Sequence, residues 1–114
     1  MKFRRLPPLH ALEAFEHCAQ QLSFKLAAES LHLTPSAISH QIRALEDFLG
    51  FALFRRGNRS LELTDGGRAY LRVVQDALQQ LRDGSGRVAQ RYGRAQLKIS
   101  MGAFLASEIV MPAL

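Results

Sequence analysis

The 114-residue chain contains one cysteine, Cys18, and no run of about eighteen apolar residues of the kind that crosses a membrane. A single cysteine cannot form an internal disulfide, and a lone thiol fits a reducing compartment. The polar start MKFRRLPP also lacks the apolar core of a secretory signal. Together these absences predict a cytoplasmic protein with no membrane partner.

Groups that perform catalysis are missing as well. The sequence contains no glycine-rich phosphate loop, no nucleophile elbow and no paired carboxylates with a partner base. His10 and His17 lie on one face of a predicted helix, but a metal site needs three or four convergent ligands. We therefore expect neither an enzyme nor a bound metal or cofactor.

The charge balance is compatible with a polyanionic partner. The formal net charge is +5 and the isoelectric point is near 10.1. Residues 1–60 carry eight lysines or arginines against five acids, whereas residues 61–114 carry seven against five. The basic excess is therefore larger in the N-terminal half of the chain.

Apolar residues near the start of the chain recur at threes and fours, which predicts a first helix. Its apolar face comprises Leu9, Leu12, Phe15, Cys18, Ala19 and Leu22. We interpret Cys18 as a small core residue and not as a redox sensor.

The segment 23–50 predicts two further helices separated by a tight turn, which is the layout of a helix-turn-helix. Ser23 can cap the first of them, and His32 can occupy the turn in left-handed backbone geometry. Thr34 and Pro35 begin the second, because the threonine oxygen can accept an orphan backbone N–H and proline has none to lose. The apolar stripe of this second helix comprises Ile38, Ile42, Leu45 and Leu49. Its polar stripe comprises Ser36, Ser39, His40, Arg43 and Asp47.

A cationic hairpin, called the wing below, is predicted to follow. The apolar segments 51–54 and 61–63 predict two short strands around a tip at 55–60. The tip holds Arg55, Arg56 and Arg59, with no acid among its own residues to neutralise them. Like charges this close repel one another unless a partner neutralises them. A reading helix followed by such a wing predicts a DNA-binding protein.

A long helix capped by Thr64 is predicted over residues 65–92. Its apolar stripe comprises Tyr70, Val74, Ala77, Leu78, Leu81, Val88 and Tyr92. The small domain cannot cover this stripe along its whole length, so a partner helix is the expected cover and the chain is expected to dimerise. Gly84 and Gly86 each weaken a helix by about 1 kcal/mol relative to alanine, which leaves a kink or an early end open.

The last residues predict the opening of another domain. Segment 96–102 alternates apolar and polar side chains as a strand does, and 103–114 is typical of the start of a helix. Because the chain offers this strand no partner, we interpret 93–114 as the start of a truncated α/β domain and the chain as a fragment of a longer regulator.

The run AAESLHLTPSAISHQIRALEDFLGFALFRRGNRSLELTDGG, residues 27–67, resembles the N-terminal signature of LysR-type transcriptional regulators. The lead-in LPPLHALEAFEHCAQQLSF is similar to the branch that contains the glycine-cleavage activators. The resemblance implies a mainly α fold: a winged helix-turn-helix DNA-binding domain at 1–64, a long linker or dimerisation helix at 65–92, and the start of an effector-binding domain at 93–114.

The resemblance also implies partners. It implies a homodimer through antiparallel linker helices, often a tetramer in the full-length protein, that binds interrupted palindromes in double-stranded DNA near promoters. A small-molecule coinducer is implied only where the rest of the effector-binding domain is present. Many relatives have glutamine where this chain has Pro35 and arginine where it has His40, so their operator preference does not transfer.

Transferred by position, the family's base readers fall on Pro35, Ser36, Ser39 and His40, with Arg43 nearby for phosphate or guanine. Proline offers apolar contact alone, whereas serine and histidine can exchange hydrogen bonds with base edges. The full predicted DNA-binding set is Thr34, Pro35, Ser36, Ser39, His40, Arg43, Arg55, Arg56, Asn58 and Arg59. The predicted dimerisation set is Tyr70, Val74, Ala77, Leu78 and Leu81.

In the wing, Arg59 matches the residue that enters the minor groove in relatives, where negative potential is strongest over narrow A·T tracts. Arg55 and Arg56 are expected to hold phosphates, which adds affinity without sequence information.

Two alternatives stay open at this point. The chain could act mainly as a dimerisation or protein-contact module, with the long helix as its working surface and the basic face incidental. It could also be a nonspecific DNA-binding fragment, which would tolerate changes at Ser39 and His40 but not at the wing arginines.

Overall fold

The computed structural model describes residues 5–58 and 60–93. In chain order the elements are α1 (Leu9–Gln21), α2 (Phe24–Leu31), α3 (Pro35–Leu49), β1 (Phe54–Arg56), β2 (Leu61–Leu63) and α4 (Asp65–Val88), followed by a π-helical turn (Ala89–Gly93). The chain divides into two compact units, with the boundary after Asp76. The predicted fold class, a winged helix-turn-helix followed by a long helix, is confirmed.

The ends of the first three helices follow from local capping. Ser23 accepts a hydrogen bond from the Leu26 backbone N–H over 3.1 Å, so it caps α2 as predicted. His32 has a φ of 58° in the left-handed region and ends α2, which confirms its prediction as a turn residue. The predicted first helix ends one residue earlier than expected, because Leu22 adopts left-handed geometry with a φ of 49°.

The core of the first unit lies where α1, α2 and α3 meet. Its fully buried large side chains are Phe15, Cys18, Ile38, Ile42, Leu45, Leu53 and Val74. Phe15 packs edge-on against Phe54 with ring centroids 5.7 Å apart, and Phe54 packs in the same way on Phe24. Phe54 therefore ties the wing to the helical core.

The predicted buried face of α1 is only partly correct. Leu9 and Leu22 at its two ends are about half exposed, whereas Ala11 and Ala14 are buried. Leu9 is the first residue of α1 and Leu22 follows its last, so periodicity alone overestimates burial at these two positions. Cys18 is fully buried, which confirms its prediction as a core residue.

The wing differs from its predicted register. Its first strand runs Phe54–Arg56, not 51–54, and pairs antiparallel with β2 so that Phe54 faces Leu63. The tip is correspondingly shorter, and the Gly57 N–H closes it by donating to Ser60 O over 2.8 Å. The backbone of Leu53, directly before β1, forms hydrogen bonds outside the strand pairing. The Leu53 N–H donates to Glu46, and the Leu53 carbonyl accepts from the Thr64 N–H.

Helix α4 begins at the predicted cap. Thr64 Oγ1 accepts from the Gly67 N–H over 2.8 Å and donates to the Ala52 carbonyl over 2.7 Å. The α-helix continues through Gly84 and Gly86 to Val88, so neither glycine ends it. It changes to a π-helical turn over the last residues of the predicted span.

Two further results concern membrane spans and the C-terminal elements. No helix among the described residues is long and apolar enough to span a membrane. The strand predicted at 96–102 and the helix predicted after it lie outside the described residues.

Candidate nucleic-acid interface

Helix α3 is positioned to present a defined polar stripe. Thr34 Oγ1 accepts from the Ala37 N–H over 3.0 Å, and Pro35 occupies the first helical position. Ile38, Ile42 and Leu45 are buried on the side that faces the core. The rotation of the helix about its axis is therefore set by its apolar stripe, and the opposite stripe is left for solvent or a ligand.

Among the predicted DNA-binding residues, Ser36, Ser39, His40 and Arg43 lie on that opposite stripe, and Thr34 and Pro35 lie at the start of the helix. Thr34, Pro35, Ser36, His40 and Arg43 are exposed, and Ser39 is half-buried. Ser39 and Arg43 are also joined directly, since Arg43 Nη2 donates to Ser39 Oγ over 3.0 Å. The structure thus places four of the predicted residues along one side of α3, with Thr34 and Pro35 at the start of that helix.

Helix α3 is also fastened to the wing by a residue that the sequence did not point to. Glu46 Oε2 accepts from the backbone N–H groups of Leu53 and Phe54, over 2.7 and 3.3 Å. These two hydrogen bonds are strong, because hydrogen bonds to an ionised carboxylate are stronger than those between neutral groups. Periodicity places Glu46 only at the edge of the apolar stripe, and no local pattern marks its partners seven and eight residues on.

Two of the three wing arginines lie on a strand and not at the hairpin tip. Arg55 and Arg56 both belong to β1, so the prediction that they lie at the hairpin tip is wrong. The reason is the register: three residue pairs form before the turn, and this leaves only 57–60 for the tip. Side chains alternate along a strand, so these two arginines leave opposite faces of the hairpin.

Arg55 has an acidic partner across the sheet. It pairs directly with Glu62 in the strand register, and Arg55 Nη1 lies 3.5 Å from Glu62 Oε1. The prediction that no acid neutralises the arginine cluster is therefore wrong for Arg55, because it missed this cross-strand carboxylate. Both side chains remain mostly exposed, at 65% and 62%, so the ion pair is weak and open to competition.

Arg56 is held by an aromatic ring. Its guanidinium carbon lies 4.9 Å from the ring centroid of Phe24, the first residue of α2. This cation–π contact orients the guanidinium beside the start of α2. Among the described residues no acidic side chain forms a salt bridge with Arg56. Arg56 is close enough to Cys18 to lower the pKa of that thiol, but burial has the larger effect and raises the pKa to about 12.

The remaining wing residues are Asn58 and Arg59. Asn58 belongs to the tip and is exposed. Arg59, the residue predicted for the minor groove, lies outside the described residues. For metals, the described ranges hold no group of three or more histidine, cysteine, aspartate or glutamate side chains that could bind an ion.

A family model for bacterial regulatory helix-turn-helix proteins of the lysR family matches residues 9–68, which is more than half of the chain. The chain belongs to the LysR family. The predicted resemblance is thereby confirmed, and it extends over the caps, the polar stripe of α3 and the wing.

The similar proteins agree with this assignment. The LysR-family chain is 43% identical over 111 residues to the glycine cleavage system transcriptional activator of Escherichia coli K12, which covers 97% of this chain and 36% of that relative. The resemblance to the glycine-cleavage activators is therefore confirmed at the level of sequence. The chain spans little more than a third of the length of that relative.

Solved structures match the fold. The BenM_DBD/catB site 1 DNA complex has a TM-score of 0.70 and 26% identity, and the match covers 73% of this chain and 92% of that one. Full-length CbnR complexed with its target DNA has a TM-score of 0.65 and 32% identity, with 72% of this chain and 29% of that one covered. The LysR-family chain thus has the fold of a LysR DNA-binding domain followed by a long helix.

In this LysR-family chain the predicted dimerisation residues share one face of α4 but differ in burial. Val74 and Leu78 are buried within the chain, and Tyr70 is half-buried with its pKa raised by burial. Ala77 and Leu81 are exposed, and Leu81 keeps 56% of its surface open to solvent. Val88 and Tyr92 follow Leu81 at helical spacing and are also mostly exposed. An apolar stripe of α4 and the turn after it is therefore left uncovered by the described residues.

Proposed function

We propose that this chain is the DNA-binding part of a sequence-specific transcriptional regulator, with α3 in the major groove and the wing on the backbone and minor groove. The observation that carries the proposal is the exposed polar stripe of a capped helix standing beside a strand with Arg55 and Arg56. The major groove is wide enough to admit an α-helix and presents a distinct donor and acceptor pattern for each base pair.

Within this proposal the polar stripe of α3 supplies sequence readout. His40 can donate to a guanine acceptor or, in its other tautomer, accept from an exocyclic amine. Ser36 can do either, and Pro35 can contact a thymine methyl. Thr34 caps the helix and so sets the position from which these side chains reach the bases.

The wing supplies affinity. Arg55 and Arg56 are proposed to hold phosphates, a contribution that carries no sequence information and falls as salt rises. Asn58 and Arg59 are proposed to follow the backbone and the minor groove. The weak pairing of Arg55 with Glu62 supports this role, because an exposed ion pair can exchange its carboxylate for a phosphate at little cost.

We propose a homodimer formed through α4, with residues 1–64 as the DNA-binding domain and 65–92 as the linker. Support comes from the uncovered stripe of Ala77, Leu81, Val88 and Tyr92. A two-fold dimer would read an interrupted palindrome, because half-site spacing mirrors protein symmetry. A tetramer and a coinducer are proposed only for a longer protein that completes the domain beginning at 93–114.

We further propose that the protein acts in the bacterial cytoplasm, where its DNA target lies, without enzymatic activity and without a cofactor. The similarity to activators and to chains solved with DNA supports a regulatory role.

The test is selection from a pool of random DNA duplexes at about 150 mM salt, followed by sequencing of the retained DNA, because specificity and not affinity alone defines the proposal. A two-fold interrupted palindrome is expected. Retention without sequence enrichment would reduce the chain to an electrostatic binder, and absence of retention would remove DNA binding by this chain altogether.

A matched pair of variants locates the reading surface. His40→Ala is expected to flatten the preference at one or more base pairs in each half-site. His17→Ala removes the same side chain from α1, away from the stripe, and is expected to leave the selected sequence unchanged. Equal effects of the two variants would contradict the assignment of α3 as the reading helix.

The exposed stripe of α4 favours one second candidate function, a dimerisation or protein-contact module. Under that reading Leu81→Ala abolishes self-association in sedimentation experiments and no duplex is enriched by the wild type. Gln79→Ala, an exposed change on the same helix, is the control for both measurements.

A further inference from the structure

Ser39 and Arg43 lie one turn apart on the polar stripe of α3, and their hydrogen bond fixes where the Arg43 guanidinium sits. Arg43 Nη2 donates to Ser39 Oγ over 3.0 Å. Side chains on a helix point toward its N-terminus, and the hydrogen bond to Ser39 directs the Arg43 side chain one full turn in that direction. The guanidinium is therefore held about one turn closer to the start of α3 than its own backbone.

This placement puts the guanidinium among the predicted base readers. Ser36 and His40 are exposed in the first two turns of α3, and Ser39 stands between them on the same stripe. In a helix-turn-helix the N-terminal residues of the second helix reach the bases. An unrestrained arginine at position 43 would start from the third turn and sample many rotamers, because its side chain is long and flexible.

The bond also divides the hydrogen-bonding capacity of the two side chains. A serine hydroxyl has one donor and two acceptor lone pairs, and here an acceptor position is occupied by Arg43. A guanidinium has five donors in a planar fork, so the remaining ones stay available. Arginine that donates to both O6 and N7 is the commonest specific contact to guanine, whereas serine is an uncommitted reader.

We propose that Arg43 reads a guanine in each half-site and that Ser39 is a positioning residue which acts through Arg43. This inference deepens the proposed function and rests on it. It replaces two independent contacts, a serine to a base and an arginine to a base or phosphate, with one coupled unit. Its consequence is that the two residues govern the preference at the same base pair.

The test compares variants of the 114-residue chain on duplexes with every base at each position of the selected operator. Arg43→Lys keeps the charge and loses the fork, so guanine discrimination at one position falls by about 5- to 150-fold with an unchanged salt dependence. Ser39→Ala lowers the discrimination at that same position by about 2- to 12-fold. Ser39→Thr keeps the hydroxyl and restores it. In the double variant Arg43→Lys with Ser39→Ala, the loss equals that of Arg43→Lys alone.

Several outcomes overturn the inference. Ser39→Ala could change the preference at a different base pair, or its effect could multiply with that of Arg43→Lys, as expected for two separate readers. Arg43→Lys could keep the full sequence preference, as expected for a phosphate contact. Melting temperatures of all variants are compared with the wild type, so that a loss of folding is not counted as a loss of readout. If the wild type itself enriches no sequence, the proposed function fails and the inference falls with it.

Discussion

Gly67 is the position at which the structure makes its sharpest stability prediction, because α4 passes the end of the first wing strand there with no room for a side chain. A Cβ added to Gly67 would lie 2.1 Å from the Leu53 carbonyl oxygen and 3.1 Å from Leu63 Cδ2. The carbonyl is backbone and is itself engaged, since it accepts from the Thr64 N–H over 3.0 Å. The Gly67→Ala variant therefore has to separate the start of α4 from the wing by about 1 Å.

The expected loss has two parts. Overpacking of a filled site costs about 1–3 kcal/mol. Weakening the hydrogen bond from Thr64 to Leu53 adds about 0.5–1.5 kcal/mol. Alanine's higher helix propensity returns at most about 1 kcal/mol, so a net destabilisation of about 1–4 kcal/mol is expected. For a domain of this size that lowers the melting temperature by roughly 5–25 °C, measured by circular dichroism.

Gly86→Ala is the matched control on the same helix. A Cβ at Gly86 would meet nothing within 4 Å, so only the propensity gain of about 0.5–1 kcal/mol remains and helix content should not fall. The reasoning is refuted if Gly67→Ala melts within a few degrees of the wild type, or if the two variants shift the melting temperature in the same direction by similar amounts.

Three further predictions follow from the contacts of the first unit. Glu46→Gln replaces the carboxylate that accepts from two backbone N–H groups of the wing segment with a neutral amide. The free energy of unfolding, measured with urea, should fall by about 1 kcal/mol. DNA retention should also weaken, because the wing is held less firmly to α3. Glu62→Gln frees Arg55 for a phosphate, so DNA affinity should rise and the slope of log affinity against log salt should steepen by about 0.9. In the folded protein the pKa of Cys18 is raised from 9.0 to about 12. The unfolded chain therefore loses its thiol proton first, and the free energy of unfolding should fall as the pH rises above about 9. Cys18→Ala removes this titration, so the free energy of unfolding should fall less over the same pH range.

Glu13→Gln is the control for both glutamate variants, because it makes the same change in charge at an exposed position of α1. A loss of stability in Glu13→Gln equal to that in Glu46→Gln would show that net charge, and not the bond to the wing, is responsible. An unchanged salt slope in Glu62→Gln would mean that the wing carboxylate does not compete with DNA. For Cys18, rapid alkylation of the native thiol at pH 8 would contradict its burial.

The caps and turns were predictable because their chemistry is local. Ser23, Thr34 and Thr64 each bond a backbone N–H three residues along, and a hydroxyl at that spacing is visible in the sequence. His32 was predictable for a related reason, since few residues other than glycine tolerate left-handed geometry at the end of a helix. The LysR signature added the order of the elements and the identity of the wing.

The register of the wing was not predictable in the same way. The apolar run 51–54 favours a strand on pattern alone, but Glu46 and Thr64 take the backbone groups of Leu53 that a longer strand would have used. These contacts join residues seven and eleven positions apart, and their approach depends on how the segments around Leu53 pack. The same packing moved Arg55 and Arg56 from the tip to a strand and brought Arg55 opposite Glu62.

The sequence by itself therefore determined the helices, their caps, the polar stripe of α3 and the family, because each depends on spacing within one element or on a contiguous signature. Only the tertiary structure decided the strand register, the partners of the wing arginines, the role of Glu46 and the need for glycine at position 67. The physical reason is that these features arise where separate elements meet. Distances there are set by the whole core, and no spacing along the chain records them.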